Sequence, residues 1–183
     1  MRRQVLFVQG AGAGTHDDWD QRLVASLERG LGTDYAVEYP RMPYEADPTY
    51  LKWKRALEAA FDGLGDGAVL VGHSFGATVL VNAIAAGPPR FAPGGVFLVA
   101  APFAGEGGWP VEGTEPRARL GSGLPEGVPI CLYHGERDET VPVTHLDLYA
   151  RAIPRAVIRR LPRRDHQLND DLSPVAADIL ERC

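Results

Sequence analysis

The chain has 183 residues, enough to bury the core of one domain, so we expect a single domain over residues 1–183. Hydrophobic residues make up 45% and charged residues 23%, as in ordinary globular proteins, and a net charge of −5 does not favour a nucleic-acid partner. No apolar run approaches the ~20 residues of a membrane span, and the first apolar run is too short for a signal peptide. Because the two cysteines fit neither a metal site nor a disulfide framework, we expect a cytoplasmic protein.

Apolar runs of strand length alternate with longer stretches of helical period along the chain. In chain order these patterns predict strand 4–8, helix 17–31, strand 35–39, helix 48–64, strand 68–72, helix 75–86, strands 95–101 and 129–134, helix 144–153, strand 156–161 and helix 173–182. Such alternation, with nearly continuous apolar strands, is typical of a parallel sheet covered on both faces. We therefore expect a three-layer α/β/α domain with a mostly parallel sheet of about six strands.

One segment of the chain is locally basic. Residues 155–164, "RAVIRRLPRR", alternate arginines with apolar residues, which predicts a strand followed by a solvated loop. We therefore expect a small-molecule ligand, with neither nucleic acid nor a membrane as partner. The sequence does not indicate an oligomeric state.

The segment "VLVGHSFGATVL", residues 69–80, runs from a predicted strand directly into a predicted helix. It contains G-x-S-x-G, in which a sharp turn holds the serine hydroxyl clear of both elements. Gly72 and Gly76, two residues before and two after the serine, must then pass close to one another, and only very small residues fit there. This context favours Ser74 as a nucleophile over an ordinary glycine turn, and such a serine needs a base and an acid elsewhere.

Two later residues supply those roles, each directly after a predicted strand. Asp138 lies in "LYHGERDETVP" and His166 in "LPRRDHQL". The order Ser, Asp, His is the one expected of this kind of strand-turn-helix site. Alternatively, Asp138 is a solvated turn residue and His166 a loop histidine bonded to Asp165, but their joint position at two strand ends favours catalysis.

The other histidines compete less well for the role of base. The side chain of His73 is expected to point into the packing around the turn, and His134 to brace the acid turn. His145 lies on a predicted helix and is expected to be exposed. His16 is a candidate to line the pocket.

The glycine-rich segment "VQGAGAGTH", residues 8–16, follows the first strand and suits an oxyanion hole. We expect one donor to be the N–H of Phe75 and the other that of Ala11, with Gly12 as second choice and as a substrate contact. A dinucleotide-binding loop is the competing interpretation. It is disfavoured because Thr15 stands where G-x-G-x-x-G requires its third glycine.

With these residues in place, the chain resembles the α/β-hydrolase fold superfamily through "VLFVQGAGAG", "GHSFG", "HGERDETVP" and "RDHQL". It is most similar to the small cap-less serine hydrolases, which include the retinoblastoma-binding-protein-9 type. The resemblance implies a minimal α/β-hydrolase fold without a cap domain and a triad of Ser74, Asp138 and His166. One departure concerns the oxyanion loop, which many members begin with His-Gly and this chain begins with Gln9-Gly10.

The reaction expected from these residues is acyl transfer to water by a carboxylesterase-like enzyme, with no metal and no cofactor. Small carboxylic esters come first as substrates, then thioesters or amides. The alternative is a protein-binding module that keeps the fold with little or no catalysis. In the long Gly- and Pro-rich loop 102–128, Phe103 and Trp109 are candidates for the pocket wall, and Trp109 is equally interpreted as a loop anchor.

Overall fold

The computed structural model describes residues 2–114 and 120–183. The described strands form one six-stranded sheet with the order β2-β1-β3-β4-β5-β6, and every neighbouring pair is parallel. The strands are β1 (Arg3–Val8), β2 (Tyr35–Glu38), β3 (Val69–His73), β4 (Gly95–Val99), β5 (Ile130–Gly135) and β6 (Val157–Leu161). Because the chain returns from β2 past β1 to β3, the carboxyl ends of β1 and β3 border the topological switch point where such sheets bind ligands.

Five α-helices cover the two faces of the sheet. They are α1 (Gln21–Leu31), α2 (Tyr50–Phe61), α3 (Ser74–Ala86), α4 (Thr144–Ala152) and α5 (Ser173–Arg182). Helices α1 and α5 pack together on one face, and α2 packs on α3 on the other. This arrangement confirms the predicted three layers and the mostly parallel sheet of about six strands.

Alternate side chains of each strand enter two separate cores. On β1, Leu6 contributes to the core beneath α2 and α3, whereas Val5 and Phe7 contribute to the core beneath α1 and α5. A strand whose two faces are both covered needs apolar residues at every position, which explains the continuous apolar runs in the sequence. The sheet is therefore a rigid platform for the loops at its carboxyl edge.

Several predicted boundaries differ from the structure because short helical turns form in segments that were predicted as helix or loop. The predicted helix 17–31 is preceded and partly replaced by a π-helical turn, Thr15–Asp20. Predicted loop 102–128 contains a 3₁₀ turn, Leu120–Gly123, and its residues 115–119 lie outside the described residues. A further 3₁₀ turn, Leu168–Asp170, follows His166 and was not predicted.

The basic segment forms β6 and the turn after it, as predicted. Three of its five arginines pair with carboxylates: Arg159 with Asp178, Arg160 with Asp147 and Arg164 with Asp171. Within residues 2–114 and 120–183, no helix combines the length and the apolar character needed to cross a bilayer.

Candidate active site

Ser74 stands at the junction of β3 and α3. Its backbone φ is 50°, a left-handed conformation that is costly for a residue with a side chain. The strain turns the chain sharply, so that the hydroxyl projects from the carboxyl edge of the sheet while the backbone enters the helix. The conformation is the one expected of a nucleophile at a strand-to-helix turn.

The two flanking glycines make this turn possible because neighbouring backbone occupies the space of a side chain. A Cβ at Gly72 would lie 2.6 Å from the Cα of Ala77. At Gly76 it would overlap the backbone carbonyls of Val8 and Gln9 at the end of β1. Gly76 therefore lets helix α3 approach the end of β1, whereas the sequence pattern predicted that Gly72 and Gly76 approach one another.

His166 connects Ser74 to Asp138, although the three residues come from three loops after β3, β5 and β6. The Nε2 atom of His166 lies 3.0 Å from the Oγ of Ser74, and its Nδ1 atom lies 2.7 Å from the Oδ2 of Asp138. The alternative, an ordinary loop histidine bonded to Asp165, is not what the structure has, because both ring nitrogens of His166 contact Asp138 and Ser74 instead. The geometry is that of a nucleophile, a base and an orienting acid within hydrogen-bond reach.

Asp138 is held as a carboxylate by hydrogen bonds from three donors, His166 and the N–H groups of Thr140 and Val141, the last two on its Oδ1. Its Oδ2 also lies 3.1 Å from the Nε2 of His134, whose single hydrogen is shared with the carbonyl of Val141 at 2.8 Å. Burial by itself would raise the pKa of Asp138, but the hydrogen bonds from His134 and His166 outweigh it and hold this pKa well below its ordinary value. Asp138 therefore stays charged and accepts the Nδ1–H of His166.

The pKa of His166 is lowered from its ordinary value. Burial is the largest cause, and the hydrogen bond to Asp138 opposes it without cancelling it. The nearby ring of His73, with its centroid 5.0 Å from that of His166, lowers the pKa further. His166 is thus neutral, and able to take a proton, at neutral pH.

The glycine-rich loop after β1 lies against the nucleophile. A Cβ at Gly10 would be 3.1 Å from the Cβ of Ser74, so Gly10 itself lies against the serine. The role of the next residue, Ala11, as an oxyanion donor stays a prediction. The N–H of Phe75 belongs to the first turn of α3, where backbone N–H groups have no intrahelical partner. The N–H of Gly12 donates instead to the carbonyl of Glu45 at 2.6 Å, so the second choice for the oxyanion donor is engaged elsewhere.

Gln9 and Glu45 shape this loop, and only Gln9 had been noticed in the sequence. The buried amide of Gln9 donates to the carboxylate of Glu45 at 2.7 Å and accepts from the N–H of Met42. Glu45 in turn accepts from the N–H groups of Gly14 and His16. The side chain of Gln9 therefore braces the loop from beneath, in the position where many resembling proteins carry histidine.

Beneath the triad lies a second histidine–carboxylate contact. The Nδ1 of His73 is 2.9 Å from the Oδ2 of Asp20, and its Nε2 is 3.2 Å from the backbone oxygen of His166. The same Oδ2 accepts from the N–H of Gly10 at 2.7 Å. The side chain of His73 therefore points into the packing, as predicted. The contact with Asp20 was missed because nothing in the segment "DDWD", residues 17–20, distinguishes this aspartate from the two before it.

Phe75, the residue after Ser74, also lines a cavity of about 510 Å³, although Ser74, Asp138 and His166 are not among its walls. The other walls come from the start of α2 and from the loop after β4, and they are Pro48, Thr49, Tyr50, Leu51, Pro110, Val111, Glu112 and Gly113. Neither Phe103 nor Trp109 is among them. The predicted loop thus contributes to a cavity wall, but through residues that the sequence did not single out.

Phe103 and Trp109 are both placed by His145. The N–H of Phe103 donates to the Nδ1 of His145 at 2.8 Å, and the indole of Trp109 meets the imidazole edge to face. His145 is 4% exposed, so the prediction of an exposed histidine is wrong. The loop folds over α4 and covers this side chain. The structure therefore favours the anchor interpretation of Trp109, which is itself 40% exposed.

His16 lies on the far side of the oxyanion loop. Its ring stacks on Tyr39 with centroids 4.2 Å apart, and its Nδ1 contacts the carboxylate of Asp17. This half-buried position ties the start of the π-helical turn to the end of β2. A contact between His16 and substrate stays a prediction.

No cluster of three or more His, Cys, Asp or Glu side chains in the described ranges is arranged to hold a metal ion. The two cysteines are free thiols.

Fold and site together define a class: a parallel α/β sheet carrying serine, histidine and aspartate at its carboxyl edge, as in hydrolases of this architecture. The model of the alpha/beta hydrolase family matches residues 5–182, so the chain belongs to that family. No curated protein sequence matches the chain.

Solved structures with the same fold include proteins from three bacteria. A YdeN-like hydrolase from Pectobacterium atrosepticum is 17% identical, with a TM-score of 0.73 over 99% of this chain and 90% of that one. XC6422 from Xanthomonas campestris, described as a serine hydrolase without lid, is 18% identical, with a TM-score of 0.66 over 97% and 79%. The esterase domain of a Rhodothermus marinus protein is 22% identical, with a TM-score of 0.60 over 95% and 82%. These similarities confirm the minimal fold, and in the described residues no cap domain is inserted between β4 and β5.

Proposed function

We propose that the protein is a serine hydrolase that cleaves small carboxylic esters through an acyl-enzyme on Ser74. The observation that carries the proposal is the unbroken series of hydrogen bonds from Ser74 through His166 to Asp138, at 3.0 and 2.7 Å. A serine hydroxyl by itself is a poor nucleophile at neutral pH, and this series supplies the base that it needs.

In the proposed reaction, the Nε2 of His166 takes the proton of Ser74 as Oγ attacks the carbonyl carbon. Asp138 holds the Nδ1–H of His166 and stabilises the imidazolium that forms. The N–H groups of Phe75 and Ala11 bind the oxyanion, and the positive end of helix α3 adds to their field. The intermediate collapses when the imidazolium gives its proton to the departing alkoxide. Water then attacks the acyl-enzyme in the same way, which releases the acid and restores Ser74.

The cavity beside Phe75 is the proposed site for one side of the ester. Leu51 and Val111 form an apolar wall, and Glu112 is the one carboxylate among the described residues that line the cavity. A volume of about 510 Å³ lies within the ~300–1,000 Å³ typical of small-molecule sites. An ester is favoured over an amide because an alkoxide leaves with less help from a proton donor than an amine does. Thioesters are the second choice for the same reason.

A fluorophosphonate probe tests the nucleophile directly, since it phosphonylates an activated serine. We expect covalent labelling of the wild-type protein and of Ser173→Ala, a change at the exposed start of α5, and none of Ser74→Ala. Hydrolysis of p-nitrophenyl acetate should follow the same pattern, with Ser74→Ala slower by roughly 10⁴-fold or more.

Two outcomes would contradict the proposal. If Ser74→Ala is labelled as fast as wild type, another residue is the nucleophile. If folded wild-type protein is neither labelled nor hydrolytic, the protein-binding module of the same fold becomes the better interpretation.

A further inference from the structure

Asp20 and His73 form a buried pair that the proposed reaction does not use. Asp20 is 0% exposed and His73 is 1% exposed, although both side chains are polar. Burying such groups is costly unless each is paired, and a buried pair is seldom retained for stability alone. The pair lies against the loop of His166 on one side and the oxyanion loop on the other, which suggests a role in the site.

Hydrogen-bond chemistry indicates where the protons lie. A backbone carbonyl can only accept, so the Nε2 of His73 must carry the hydrogen that binds the oxygen of His166 at 3.2 Å. The Oδ2 of Asp20 already accepts the N–H of Gly10 at 2.7 Å. With Asp20 ionised, the Nδ1 of His73, 2.9 Å from the same Oδ2, carries the second hydrogen; the other assignment, a neutral pair with that hydrogen on Asp20, is the one that the NMR experiment below distinguishes. An imidazole with hydrogens on both nitrogens is a cation.

We propose that Asp20 and His73 are a buried carboxylate–imidazolium pair that positions the oxyanion loop and the loop of His166 and holds a positive charge against the catalytic base. The inference rests on the proposed function, because it assigns these two residues a role in that reaction. Asp20 anchors Gly10, next to the expected donor Ala11, while His73 anchors the backbone of His166. Both are positioning residues that touch no substrate.

Other charges around the pair are consistent with this assignment. Burial would lower the pKa of His73, but the charge and hydrogen bond of Asp20 outweigh it and raise that pKa. The remaining titratable side chains that act on the pair or on His166 are Tyr39, His134 and Asp138. The Oδ1 of Asp20 accepts no hydrogen bond from the described residues, so the polar contacts of this carboxylate are those of Oδ2 with Gly10 and His73.

Histidine ¹⁵N NMR tests the charge without requiring any hydrolysis. At about pH 8, where an ordinary histidine is neutral, we expect both ring nitrogens of His73 to be protonated. The signals are assigned with the double variant Asp20→Asn, His73→Gln, in which they disappear. A pyridine-type nitrogen on His73 at this pH overturns the ion pair.

The same double variant tests the effect on the reaction, and it leaves no buried charge unpaired. Without the positive charge the pKa of His166 rises, so the acidic limb of kcat/KM for p-nitrophenyl acetate should move up by roughly half to one pH unit. Loosened anchoring should lower kcat by about 10- to 100-fold while KM stays within about threefold. A purely structural role would leave the midpoint of the pH profile in place.

Asp178→Asn is the matched control. Asp178 is a buried carboxylate on α5 that binds Tyr133 and Arg159, away from the triad. It should lose stability and keep the wild-type pH profile. A folded double variant with wild-type kcat and acidic limb overturns the positioning role. If the wild-type protein is inactive, the proposed function is overturned, and with it the catalytic part of this inference. The NMR spectrum tests the protonation of the Asp20–His73 pair independently of activity.

Discussion

Replacing Asp138 by Asn tests the triad most sharply, because the amide keeps the shape of the carboxylate. In the protein, Oδ1 of Asp138 accepts from the N–H groups of Thr140 and Val141, and Oδ2 faces the nitrogens of His166 and His134. An amide has one accepting and one donating end, so it can satisfy only one of these two sides.

We expect the amide oxygen of the Asp138→Asn side chain to face the backbone N–H groups and the amide nitrogen to face His166. If the amide nitrogen turned toward Thr140 and Val141, two N–H donors would be left unsatisfied, at ~1–3 kcal/mol each. In the opposite orientation His134 still donates to the carbonyl of Val141 at 2.8 Å, and His166 can change tautomer to accept from the amide. That tautomer places a hydrogen on Nε2, where His166 can no longer take the proton of Ser74.

We therefore expect Asp138→Asn to lower kcat by roughly 10⁴-fold, which corresponds to about 5 kcal/mol in the barrier. The assay is p-nitrophenyl acetate hydrolysis, with thermal unfolding to show that the fold is intact. Glu139→Gln, the exposed neighbour, is the matched control and should behave as wild type. Activity of Asp138→Asn within tenfold of wild type, or a large loss in Glu139→Gln, would refute the assignment of the acid.

Three further results are expected. Because burial lowers the pKa of His166, kcat/KM should rise with pH to a plateau whose midpoint lies below the ordinary value of ~6.5, and a midpoint above about 7 would contradict this. Gly76→Ala should lower the free energy of unfolding by about 2 kcal/mol or more in denaturant titrations, because the new alanine methyl group would overlap the backbone of Val8 and Gln9. The control Gly87→Ala, where a methyl group meets nothing within 4 Å, should change it far less, and equal losses would argue against the close approach. Finally, kcat/KM for p-nitrophenyl esters should peak at acyl chains of about two to four carbons, since a half-open cleft buries few methylenes at ~0.8 kcal/mol each; a steady rise to about twelve carbons would indicate a deep channel.

Local patterns in the sequence were sufficient to predict the layers and the succession of strands and helices along the chain. They also singled out Ser74, Asp138 and His166, which the structure brings within hydrogen-bond distance; their catalytic roles stay a prediction. Strands buried on both faces must be apolar throughout, so they can be recognised in the sequence without knowing which strands lie beside them. The serine between Gly72 and Gly76 is equally local, because a strained turn admits few residues. Asp138 and His166 could be found because functional residues of parallel sheets follow strand ends.

Contacts between loops were decided only by the tertiary structure. Asp20 meets His73 across 53 positions of the chain, and Gln9 meets Glu45 across 36. His145 is buried because a distant loop folds over its helix, which no helical period could reveal. Such loops carry polar residues whose partners depend on where each loop ends in space. Periodicity records which face of an element is covered, but it does not record which side chain will supply the other half of a hydrogen bond.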